Sequence, residues 1–409
     1  MSSSFLLDTL HGYEPYERVK QGLGEPGIIS VYNLSNAQKA EVIAALAGET
    51  GRQILYLCES EKASAQAMED LAVLTGGAIG LFQSREISFY QDVAASREVS
   101  SRRLETLSKL LNGSIRAVVA PIDTLLHRVM PRDLFAENTI HLSVGDRLET
   151  DYVLESLLAA GYTREYMVEG KGQFAMRGGI IDVYPTDASH AVRIEFFDDQ
   201  LDSIREFDVM DQRSVGNLQS ISIPPASEGL VADDSREKVA ARLRAALRNR
   251  GKEPKEVQDF GDASLSDLPV AVANEEEEPV YEDLTEGEAP FLLRSRAAER
   301  YETLMNEAIG QMENRIGSRV LEKYLNLLWD KDETIVDYMN RPLLVLDEPD
   351  SSLQRLESRI SEFNTAFANA LERGEAIREQ EQLILPGETV KDLLKRDGTI
   401  FLSRIQRQV

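Results

Sequence analysis

A lysine in the turn between a short strand and a helix can grip a phosphate, and Lys39 stands at such a place. In the phosphate-binding pattern G-x-x-x-x-G-K-[ST], glycines let the backbone wrap the anion and a hydroxyl reaches a magnesium ion. Of that pattern the present chain keeps the lysine. Asn33 and Gln38 occupy the two glycine positions, and Ala40 stands where the hydroxyl belongs. Much later, the apolar run 343–346 ends in Asp347 and Glu348, the arrangement by which acids hold magnesium beside an intact phosphate loop. With the loop broken, both acids are expected to be structural and Lys39 to be an exposed turn residue. These six positions describe a degenerate nucleotide site. No ATP binding, cofactor, metal or catalytic residue is expected from them.

Other chemistry is thinner. Gly22, Gly24 and Gly27 spell G-x-G-x-x-G, but the pattern precedes a strand and contains Pro26, so it reads as a turn. His11, His127, His141 and His190 have no metal-ligand spacing, and no nucleophile elbow is present. Cys58 is the single cysteine, so neither a disulfide framework nor a thiolate zinc site can form. It closes the apolar run 54–57 and is expected to be a buried strand thiol.

The stretch 172–208 points to binding rather than catalysis. Neighbours on a strand face opposite ways. Val192, Ile194 and Phe196 therefore share one face of a strand over 191–197, and Arg193, Glu195 and Phe197 share the other. Phe174 and Met176 likewise oppose Ala175 and Arg177, and Gly178-Gly179 breaks the run. The outcome is a small antiparallel sheet with one greasy face and one bearing Arg177, Arg193, Glu195 and Phe197. Arginine and aromatic residues dominate the centres of protein interfaces. A solvated strand face with one exposed Phe is the plain alternative.

The elements that must position these residues fall into three stretches. From about 26 to 131, strands at 27–32, 53–58, 79–82 and 116–120 alternate with helices at 37–46, 63–74 and 102–111. That alternation argues for a parallel sheet covered on both faces. A helix at 152–160 then leads into the strand-rich block, a compact α+β module. The remainder is mainly helical, with helices at 235–250 and 296–329 (broken near Gly310 or Gly317) and a strand at 342–346. A helical stripe follows in Leu353, Leu356, Ile360, Phe363, Phe367 and Leu371. The acidic stretch 274–290 reads as a loop. The resulting domains are 1–138, an inserted 139–216, and 217–409.

With 409 residues, two or three domains are natural. Forty-five basic against 70 acidic residues leave a formal charge of −25, which opposes autonomous DNA binding. No apolar run approaches the length of a membrane span, and no secretory signal opens the chain, so a cytoplasmic location without membrane contact is expected.

Three features coincide: the block RGGIIDVYP…VRIEFFDDQLDSIREFD, a broken phosphate loop ahead of it, and LLVLDEPD behind it. Together they resemble the N-terminal UvrB-homology module of the bacterial transcription-repair coupling factors. RVMP, the VGD of 144–146 and YLNLLW are similar too. UvrB itself has an intact phosphate loop and an aromatic-rich hairpin, whereas residues 89–107 here carry only Phe89 and Tyr90. The resemblance implies a helicase-like α/β fold, P-loop NTPase-like but degenerate, with a small α+β antiparallel-sheet domain inserted into it. It implies that the inserted domain binds UvrA. Arg177 and Arg193 match family contact positions, Phe197 matches the aromatic beside them, and Arg164 and Glu195 match further UvrB contact positions. RNA polymerase and DNA would be engaged through family domains not visible in these residues. The function implied is a UvrA-recruiting adaptor in nucleotide excision repair. A UvrB-like nucleotide-dependent subunit and a structural remnant without a partner are the alternatives.

Overall fold

The structure is a computed structural model that describes residues 10–85, 87, 89, 97–249, 299, 302–303, 305–307, 309–310, 312–314, 319–373 and 375–405. The first half alternates as its sequence predicts: α1 (Glu14–Gly22), β1 (Ile29–Val31), α2 (Asn36–Thr50), β2 (Ile54–Cys58), α3 (Glu61–Thr75), β3 (Ile79–Leu81), α4 (Arg97–Leu111) and β4 (Ala117–Pro121). Local chemistry sets the ends. The Ser35 side chain accepts from the Gln38 amide and Gln38 reaches back, a capping box that starts α2. Gly51 stops the helix at φ 65°, a conformation that costs glycine little.

A middle unit follows: β5 (Ile140–Ser143), α5 (Thr150–Ala159), β6 (Thr163–Arg164), β7 (Gln173–Arg177), β8 (Ile180–Val183), β9 (Ala191–Phe197), β10 (Gln200–Phe207), β11 (Ser214–Leu218) and β12 (Ser220–Ile223). The last stretch contributes α6 (Arg236–Asn249), β13 (Leu343–Asp347), α7 (Pro349–Arg373), α8 (Gly387–Leu394) and β14 (Ile400–Leu402).

One sheet runs β1-β14-β13-β2-β4-β3 and all its pairings are parallel. Strand residues divide by parity between two cores. Ile54, Tyr56 and Cys58 join Val119, Val345 and Ile400 under α1, α2 and α3. Leu55 and Leu57 join Val118, Leu344 and Leu346 under α4, α6 and α7. Burial of each such side chain contributes roughly 1.5–3 kcal/mol. With both faces covered, β2 is buried at all five positions.

The second sheet runs β11-β10-β9-β8-β7-β6, antiparallel except for the β6–β7 edge. Its packed face, with Phe174, Ile181, Val183, Val192 and Ile194, closes on α5 through Val153 and Leu157. β5 and β12 form a separate two-stranded ribbon.

Several elements depart from the sequence reading. β14 was not expected, because three apolar residues are too few to show a period. It nevertheless fills the sheet between β1 and β13. The helix expected over 296–329 gives way to a 3₁₀ turn at Arg319–Tyr324 and a short helix at Leu325–Leu328. The acidic stretch 274–290 and Tyr90 lie outside the described residues. Among the described residues no helix is long and apolar enough to cross a membrane.

Candidate partner-binding face and degenerate nucleotide site

β7 and β8 are joined by a two-residue turn, with Gly178 at φ 61°. Gly179 follows, and a Cβ there would stand 2.9 Å from the Phe196 carbonyl oxygen. The absence of a side chain lets β8 hydrogen-bond the end of β9, where the Phe196 amide donates to the Gly179 carbonyl at 2.8 Å. Phe197 then projects at the strand end, 80% exposed.

Across the sheet, Arg177 is in register with Ile180, and Ile180 with Glu195. One step along, Ala175, Asp182, Arg193 and Arg205 form the next row. The arginines of this face are not equivalent. Arg193 donates from Nε and Nη2 to the two Asp182 oxygens at 2.7 and 2.8 Å, reaches Gln212 at 3.1 Å, and stacks on Phe207 at 4.6 Å. The Asp182 bonds hold its guanidinium above the usual range. Glu195 pairs with Arg205 and accepts from the Ser203 hydroxyl, and Arg205 above all holds its carboxyl below the usual carboxylate range. Arg177 is exposed, donates to the Tyr166 carbonyl at 3.0 Å and lies 4.9 Å from that ring's centre. Among the described residues it has no ion-pair partner. Arg164 stands apart. It is exposed on the edge strand in register with Phe174, a residue of the packed face, and so is off the Arg177–Glu195 row.

The degenerate nucleotide site also takes shape. Asn33, between β1 and α2, has φ 63°, the left-handed conformation a glycine would hold most easily. Gln38 is spent in the capping box. Lys39 is not the exposed turn residue expected from sequence: it is 1% exposed. Its ammonium bonds Asp347 at 2.5 Å and Glu348 at 2.6 Å. Burial pushes the Asp347 carboxyl up, and Lys39 offsets only part of that. The acids therefore bind the lysine of the broken loop. Beside them, at the carboxyl ends of the parallel strands, a cleft of about 730 Å³ is lined by Tyr32, Asn36, Ala40, Glu59, Asp347 and Glu348, among others. Cys58 is buried and its thiol pushed up by that burial, so it is inert. Among the described residues no cluster of His, Cys, Asp or Glu could hold a metal ion.

Residues 140–228 match the family model described as the UvrB interaction domain. A transcription-repair-coupling factor of Bacillus subtilis is 28% identical over 349 residues, covering 85% of this chain and 26% of that protein. The protein of the same name from Staphylococcus haemolyticus is 24% identical over 408 residues, covering 99% of this chain and 31% of its own length. This chain is a UvrB-homology module of the transcription-repair coupling type. It spans between a quarter and a third of the length of those two relatives.

The UvrB interaction domain match takes in both sheets of the middle unit, the ribbon included. In this coupling-factor module the sequence reading missed Asp182 and Arg205, the ion partners of Arg193 and Glu195, although alternation along β8 and β10 would have placed both on the outer face. It also missed Tyr166, which lies in a loop where no period exists.

Proposed function

We propose that this chain is the UvrA-recruiting adaptor of a transcription-repair coupling factor in nucleotide excision repair, and that it does not hydrolyse ATP. The observation that carries the reading is a coincidence of place. The UvrB interaction domain match covers the one sheet whose exposed face bears Arg177, Arg193, Glu195 and Phe197. That unit, inserted at 139–216, would meet UvrA with charge-assisted bonds from arginine and an apolar anchor from Phe197. Arg164 would act from the sheet edge. RNA polymerase and DNA would be engaged by parts of the protein outside these 409 residues, in the cytoplasm.

The test is a titration with purified UvrA. Wild-type chain should co-elute with it, and Arg177→Ala or Phe197→Ala should each weaken binding by about 2 kcal/mol, near thirtyfold. Unchanged affinity in both variants would remove the reading.

The cleft favours a second reading, a nucleotide-dependent UvrB-like subunit. Against it stand the capping box that occupies the α2 amides, the missing hydroxyl at Ala40 and the pairing of Lys39 with both acids. Thermal stabilisation by Mg-ATP that Lys39→Ala abolishes would restore it.

A further inference from the structure

The turn end of the outer face carries more than the residues matched above. Tyr166 is 89% exposed, Ile180 37% and Phe197 80%. They are not scattered. The Tyr166 ring stacks beside the Arg177 guanidinium, Arg177 is in register with Ile180, and the Phe196–Gly179 hydrogen bond brings the end of β9 to the same turn. Exposed apolar side chains gathered around an unpaired arginine are costly to leave in water and mark an interaction site.

We infer that Tyr166 and Ile180 are binding residues of this face, forming with Arg177 and Phe197 one contact patch for a partner segment that presents an apolar side chain flanked by a carboxylate. The charge argument comes from the differences among the arginines. Arg193 and Arg205 already hold carboxylates of this chain, whereas Arg177 makes only a bond to a neutral carbonyl. A guanidinium with donors to spare, fixed against an aromatic ring, is prepared to take a carboxylate in forked geometry. Tyrosine gives wide contact at low entropic cost, since few torsions must be frozen. The patch rests on the adaptor reading, and its occupant is accordingly UvrA.

The experiment is a UvrA titration of the whole chain and its single variants. Tyr166→Ala and Ile180→Ala should each weaken binding at least fivefold. Tyr166→Phe, which keeps the ring and the backbone carbonyl, should bind like wild type. Met210, 90% exposed but in the turn after β10, at the opposite end of the sheet, is the control, and Met210→Ala should change nothing. Tyr166 is so exposed that its truncation leaves the fold intact, so that variant decides the matter even if Ile180→Ala is unstable. Wild-type binding that survives Tyr166→Ala, or that falls equally with Met210→Ala, overturns this inference and leaves the adaptor reading standing. A wild-type chain that ignores UvrA, or pairs with itself through Tyr166 instead, overturns both.

Discussion

Lys39 shows how a broken phosphate loop can be stabilised rather than left idle. An ammonium with 1% exposure needs a counter-charge, and this one has Asp347 and Glu348 on adjacent positions at the end of β13. Tyr56, itself buried, adds a hydrogen bond to Asp347. Deleting one partner of a buried pair leaves an uncompensated charge, which costs more than the pair itself contributes. Lys39→Met should therefore destabilise the chain by about 3 kcal/mol in denaturant titration. The loss should depend on pH. Burial holds Asp347 above the usual carboxylate range, and without Lys39 it should move higher still. A carboxyl whose folded pKa is raised contributes stability that is whole below its unfolded pKa and is lost as pH rises through the folded one. The gap between variant and wild type should widen from pH 4 to pH 8. A constant gap would mean that Lys39 acts by packing alone. At the same site Ser35 caps α2, and Ser35→Ala should cost about 1 kcal/mol by the same measurement.

At the scale of elements, the turn between β7 and β8 sets the outer face. Gly179 has ordinary backbone torsions, so its requirement is room: an added Cβ would press on the Phe196 carbonyl at 2.9 Å. Gly179→Ala should cost about 1–3 kcal/mol and weaken UvrA binding, because β9 must shift where Phe197 leaves it. Gly178 has the opposite requirement, open space but φ 61°. Gly178→Ala should cost about 1 kcal/mol and leave binding close to wild type. Thermal denaturation and titration of the two variants separate these causes, and equal effects on binding would reject the argument. What was legible in the sequence follows the same division between local and distant causes. The parity of β9 and the stripe of α7, with Leu356, Phe363 and Phe367 buried, are periodic and therefore readable. β14 has three residues and finds its partners at Ile29 and Val345, so nothing in its own composition marks it. The burial of Lys39 was hidden for the same reason, since its acids lie 308 and 309 positions away. Asp182 and Arg205 were readable in principle, and the pairing that engages Arg193 and Glu195 needed the sheet register to be known.

At the scale of the whole molecule, the outer face is useful only if its sheet is fixed to the rest. Two polar contacts reach from α4: Glu105 to Lys171 at 2.9 Å and Ser108 to Asp187 at 2.6 Å. A third link is buried. Glu228, five residues after β12, accepts from Arg103 of α4 at 2.7 Å and pairs with Arg85, and all three side chains are almost fully enclosed. Burial alone would push the Glu228 carboxyl up, but the two guanidinium groups together hold it below the usual range. A carboxyl with a lowered folded pKa contributes stability that is present above its unfolded pKa and is lost as pH falls through the folded value. Glu228→Gln keeps the shape and removes the charge, leaving two arginines facing each other without a counter-ion. The expected loss is about 3–5 kcal/mol near neutral pH, shrinking on acidification as the wild-type carboxyl also becomes neutral. Urea titrations at pH 7 and pH 4 measure both quantities. A variant as stable as wild type at pH 7 would mean that the buried charges do not hold the middle unit, and that the α4 contacts at Lys171 and Asp187 suffice.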